Sequence, residues 1–190
     1  SIQAARRQVY FIDNDDYFQH RLMTTDEEGK EYEDNGERAI FYTRGVLETV
    51  KKLRWCPDII HCHGWMSAVV PLFIKKAYYD EPSFRDSKVI FSVYGNGFQS
   101  NLVPNFKEQV LFRDITPEDL SMINDPVNHD ELCKLAITYS DGVIQNSENV
   151  NPAIMDYARS LNIPVVDYQP ADTYADACNA LYDKVWEEAE

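Results

Sequence analysis

Short runs of β-branched and aromatic residues alternate along this chain with stretches of helical apolar spacing. That alternation is the feature that most restricts its fold. Gln8–Ile12, Asp58–Cys62, Lys88–Val93, Gly142–Gln145 and Pro164–Tyr168 read as strands. Between them, Asp34 or Asn35 can cap a helix whose apolar stripe runs Ala39, Thr43, Val46, Val50, Leu53. Trp65–Tyr78 reads as a second helix and Asn105–Phe112 as a short one. Thr116-Pro117 marks another helix start. Asn128 with Glu131 is a capping-box pattern before a helix at His129–Tyr139. Asn146–Leu161 and the stretch from Ala171 complete the set. Strand alternating with helix predicts a three-layer α/β domain with a mainly parallel sheet and helices on both faces. Ile59–Cys62, Val89–Val93 and Val143–Gln145 are expected to be its central strands. The length of 190 residues suits a single domain over 1–190. The strand–helix tail at 162–190 is expected to pack on that same domain.

In such a fold the outgoing ends of parallel strands are neighbours, and crevices lie outside them. This places His63, Trp65, Tyr94, Asn96 and Asn146 around one concavity, with His61 and Gln99 as further candidate substrate-binding residues. His61 and His63 are read as pointing to opposite faces of their strand, with Cys62 facing away from both, so no shared metal site is expected. His61 reads as a hydrogen-bonded core histidine. His63, nearer the sheet edge and the helix start, reads equally as a site residue or a structural one, and is the candidate catalytic residue. Gly95-x-Gly97 serves turn chemistry and is not a dinucleotide fingerprint. Asp34 and Arg38 read as a cap and a surface or interface charge, and Asp26–Glu28 as a solvated face.

A formal net charge of -14 repels nucleic acid and anionic membrane, so neither is an expected partner. No apolar run is long enough to span a bilayer. Cys56, Cys62, Cys133 and Cys178 form no C-x-x-C pair and read as reduced, buried thiols of a cytoplasmic protein. No cofactor is expected.

Several ordered segments carry a family resemblance. Pro57–Pro71, with His61-Cys62-His63-Gly64-Trp65, resembles the P-D-I-I-H-x-H-D-W-H-T-A-L-V-P segment of bacterial-type glycogen and starch synthases. Val9–Asn14 resembles their V-Y-F-I-D-N. Asp34–Arg38 with Phe41–Arg44 resembles D-N-x-x-R-F…F-S-R. Ile90–Ser100 resembles V-F-T-I-H-N-x-x-Y-Q-G. Leu132–Ser147 resembles L-K-x-G-I-x-Y-A-D-x-V-T-T-V-S. The resemblance implies the N-terminal Rossmann-like half of a GT-B glycosyltransferase. Its activity would be glucosyl transfer from ADP-glucose, the donor substrate, to an α-glucan. His63, Tyr94 and Asn96 would line the cleft, and Trp65 could stack on a sugar ring or serve as packing.

The departures from the pattern are specific. Gly64 stands where the family has Asp, Met66 where it has His, and Tyr94-Gly95 where it has His-Asn. A K-x-G-G-L loop and the nucleotide-binding half have no counterpart in these residues. The chain alone is therefore expected to be inactive. The alternative is a non-catalytic module binding a glycan or a partner. A homo-oligomer, or a partner chain supplying the second domain, would fit either reading.

Overall fold

The computed structural model describes residues 8–188. The most apolar runs become parallel strands: β1 (Ile59–His63), β2 (Lys88–Val93), β3 (Gly142–Gln145) and β4 (Val165–Val166). They pair in the order β1-β2-β3-β4. Register sets His61 beside Ile90 and His63 beside Ser92. Ile90 in turn lies beside Gly142 and Val93 beside Gln145.

Alternation on β2 divides the core. Val89, Phe91 and Val93 face a large cluster built with α1 (Asn35–Lys52), α4 (His129–Thr138) and α5 (Pro152–Ser160). Ile90, with Ile144 of β3, faces the other way, onto Cys178, Leu181 and Val185 of α6 (Ala171–Glu187). Helices thus cover both faces of a parallel sheet, which is the α/β architecture expected. Asp141 secures the start of β3: its carboxylate accepts from Lys75 Nζ and from the Val89 amide, each at 2.8 Å.

Several expectations need correction. Gln8–Ile12 forms no strand. Its β-propensity finds no partner edge, and a strand exists only through its neighbour's hydrogen bonds. Val9 and Phe11 are left 66% and 90% exposed. Among the described residues β1 is an edge strand rather than a central one. The helix expected over Trp65–Tyr78 is three pieces: a 3₁₀ turn at Trp65–Ser67, an α-helical turn α2 (Val70–Leu72) and a π-helical stretch at Phe73–Ala77. Pro71 lacks an N–H and cannot continue a regular ladder from the preceding turn. The short helix at Asn105–Phe112 is α3 (Phe106–Val110). The helix expected from Asn146 begins at Pro152, with Asn151 as its cap. Cys56 is exposed, unlike the other cysteines.

Asn128 caps α4 through its side chain, which accepts from the Glu131 amide at 2.8 Å. Asn128→Ala is expected to cost about 1 kcal/mol of stability, read as a lower urea midpoint at unchanged slope. A midpoint equal to wild type would show that water satisfies that amide equally well.

Candidate functional site at the strand ends

β1 and β2 end side by side and deliver His63 and Tyr94 to one hollow. The His63 Nδ1 lies 3.0 Å from the Tyr94 hydroxyl. Around this pair is a cavity of about 420 Å³ lined by Met23, Thr24, His63, Gly64, Trp65, Tyr94, Asn96 and Gly97. A second hollow of about 390 Å³ shares Met23 and His63 and extends to Arg38, Tyr42, Met66 and Ser67. A larger groove of about 580 Å³ runs along the outer face of α1, past Tyr17, Phe41 and Arg44. It touches no strand end. Its Glu37 carboxylate is occupied by the Tyr17 hydroxyl and the Gln109 amide. The strand-end hollow is therefore the better candidate, since convergent polar groups rather than volume mark a site.

His61 and His63 do not point to opposite faces. Residues two apart on a strand share a face, and their rings stack 4.1 Å apart. His61 lies on the inner side of the stack, toward α6. Its Nδ1 is 2.6 Å from the Tyr182 hydroxyl and its Nε2 2.6 Å from Ser92 Oγ. Burial, with a smaller contribution from neighbouring His63, lowers its pKa to about 4. His61 is thus held neutral at pH 7, with both nitrogens engaged and its ring stacked on His63, which leaves neither nitrogen open to a ligand. Partial desolvation also lowers the pKa of His63. A neutral His63 paired with a phenol can accept or donate one proton at its exposed edge, depending on tautomer. Cys62, on the opposite face, is buried, and burial pushes its thiol up to about 12. Among the described residues no group of three His, Cys, Asp or Glu side chains could hold a metal ion.

The other expected site residues divide. Asn96 is exposed and lines the cavity. Trp65 reaches it but is only 3% exposed, edge-on to Phe98 at 5.5 Å, so it is packing and offers no stacking face. Gln99 lies in a neighbouring hollow with Phe98, Asn128 and His129. Asn146 is not among the lining residues, and its amide donates to the Val93 carbonyl at 2.8 Å. Gly64 adopts φ 75° and ψ −178°, and a Cβ there would lie 3.7 Å from the Tyr94 ring. Met66 is buried at 8% exposure.

Sequence reasoning missed the outer wall. Met23 and Thr24 come from the long loop before α1, where no apolar period pointed to a role. It also misplaced Arg38, which is 2% exposed rather than a surface charge. Its Nε donates to the Tyr17 carbonyl at 2.9 Å, Nη1 to Met23 at 2.9 Å and Nη2 to Leu22 at 3.0 Å. Asp34 gives no side-chain cap to α1. It pairs with Arg21 instead, at 2.8 Å on one oxygen and 2.5 Å on the other.

Comparison with known proteins gives this geometry a lineage. A family model described as the starch synthase catalytic domain matches residues 1–162. A glycogen synthase of Pelodictyon phaeoclathratiforme is 34% identical over 129 residues, covering 67% of this chain and 26% of that protein. One from Chlorobium limicola is 36% identical over 122 residues, covering 64% of this chain and 24% of that protein. One from Clostridium perfringens is 30% identical over 164 residues, covering 82% and 30% respectively. The chain thus spans less than a third of the length of these relatives. No solved structure matches it. A match running from the first residue through α5, on a parallel sheet whose paired strand ends carry His63 and Tyr94, shows that this chain belongs to the starch synthase catalytic domain family.

Proposed function

We propose that the strand-end cavity is the glucan-facing side of a glucosyltransferase cleft, whose lineage reaction is glucosyl transfer from ADP-glucose to an α-glucan. The observation that carries this is the His63–Tyr94 pair lining one hollow together with Asn96. Sugar hydroxyls both donate and accept, and a neutral imidazole, a phenol and a carboxamide supply matching groups. The reaction also needs cations where a diphosphate departs. Both arginines near the hollow are committed elsewhere, Arg21 to Asp34 and Arg38 to loop carbonyls. The donor's diphosphate is therefore held by a second domain or a partner chain, and this chain by itself binds glucan without transferring glucose. A cytoplasmic setting, where nucleotide sugars are made, fits this reading. Among the described residues no helix is long and apolar enough to cross a membrane.

The competing reading is a glycan-binding or partner-binding module without catalysis. What favours it is Gly64 and buried Met66 at positions where the family pattern offers polar side chains. One experiment tests the inactivity that both readings expect of the chain alone. The purified chain is incubated with labelled ADP-glucose and a glucan primer, and incorporation is followed against a boiled control. None above background is expected. Sustained incorporation that His63→Ala abolishes would show that the chain alone is a complete catalyst.

A further inference from the structure

The cavity wall is made by a loop, and two of the contacts that hold it differ in character. Arg38 is the buried one. Its guanidinium gathers the Tyr17, Leu22 and Met23 carbonyls onto α1. Glu31 is the accessible one. Its carboxylate accepts from the Gln99 amide, from the Ser100 amide at 2.7 Å and from the Ser100 hydroxyl. Those partners end the turn that carries Tyr94 and Asn96.

Glu31 is linked directly to the wall. Thr25 and Glu31 form an antiparallel bridge, and the Tyr32 amide donates to the Thr24 carbonyl at 3.1 Å. The Asp26 amide donates to the Lys30 carbonyl at 2.8 Å and closes the hairpin. Glu31 is thus coupled through these backbone contacts to Thr24, which lines the cavity beside Met23 and whose carbonyl also accepts from Asn35 Nδ2 at 3.1 Å. A carboxylate holding two amides and a hydroxyl is a charge-assisted arrangement of the stronger kind. Burial acts to raise the Glu31 pKa, yet those three donors outweigh it and hold the carboxyl below its ordinary value.

We propose that Glu31 is a positioning residue for glucan binding: its carboxylate clamps the Met23–Thr24 wall to the Tyr94–Ser100 turn and fixes the width of the strand-end cavity. This rests on the glucan-facing reading above. The clamp itself involves no ligand, so the two are tested separately.

Amide hydrogen exchange on the 190-residue chain tests the clamp. In Glu31→Ala, exchange at Gln99, Ser100 and Thr24–Tyr32 is expected to quicken about tenfold or more, with β2 and β3 amides unchanged. Glu31→Gln keeps the shape and loses the charge, and is expected to fall between. Titration with maltoheptaose, followed by His63 and Tyr94 resonances, tests the consequence. Affinity is expected to fall about tenfold in Glu31→Ala at unchanged sheet protection. Unchanged exchange in Glu31→Ala overturns the clamp. Faster exchange with unchanged affinity overturns the positioning role. No shift in the wild-type chain overturns the glucan-facing reading and the positioning role with it, while exchange still decides whether the clamp exists.

Discussion

Arg38→Met is expected to destabilise the domain by about 3–5 kcal/mol and to release the loop before α1. The guanidinium is buried and donates to three backbone carbonyls and to Asn35 Oδ1 at 2.8 Å. Each acceptor left buried without a donor costs about 1–3 kcal/mol. Methionine fills much of the space but offers no donor. Partial rehydration of the loop carbonyls sets the lower end of the range. Lysine is not a conservative replacement, because one ammonium cannot reproduce a planar fork aimed at separate carbonyls. Desolvation first, and Arg21 second, lower the Arg38 pKa, so the buried cation already carries a penalty that its hydrogen bonds offset. Urea unfolding measures the effect. A loss under about 1 kcal/mol would mean that water reaches those carbonyls in the variant and that the guanidinium is not what holds the loop.

Stability is expected to fall by roughly 3 kcal/mol from His61 alone as pH drops from about 6.5 to about 4. The sign follows from proton counts. Unfolded, His61 titrates near its ordinary value; folded, burial holds it at about 4. Between those values the unfolded chain binds the extra proton, so acid favours unfolding. The stability is fully present above the unfolded pKa and is lost as pH falls through the window. His63 and His129, both lowered by desolvation, act in the same sense. Carboxyls held low by their donors, such as Asp34 and Asp119, give way only at more acid pH. His61→Gln keeps hydrogen-bonding capacity toward Tyr182 and Ser92 without titrating. It is expected to flatten the slope between pH 4 and 6.5, read by thermal melts across buffers. An undiminished slope in His61→Gln would place the proton uptake elsewhere.

The centre of the sheet was legible because β2 and β3 are buried on both faces and so appear as continuous apolar runs. The α4 cap was legible because Asn128 and Glu131 act across one turn. What failed was information held by distant partners. Val9–Ile12 carries strand propensity with no edge to pair against. Arg38 reads as a surface charge from its own helix, and only the returning loop buries it. Trp65 reads either as packing or as a stacking face, and it is the distant Phe98 that settles it as packing. Tyr182, which orients His61 from more than a hundred residues away, left no local trace. Two misreadings were avoidable. Residues two apart on a strand share a face, which already stacks His61 on His63. Pro71 inside an apparently helical stripe already warned of the broken segment that follows β1.

Gly64 has a consequence for how such a sequence can change. Its backbone, at φ 75° and ψ −178°, lies where glycine is at ease and other residues bear about 1–3 kcal/mol of strain. The side chain is not excluded for want of room, since the Tyr94 ring stands 3.7 Å from where a Cβ would sit. The barrier is conformational. Introducing an aspartate there in one mutation would place a strained residue beside His63 before the chain had rearranged to receive it. A side chain at this position is therefore easiest to accept after a change in the β1 exit, and the order in which substitutions arrive decides which sequences remain reachable.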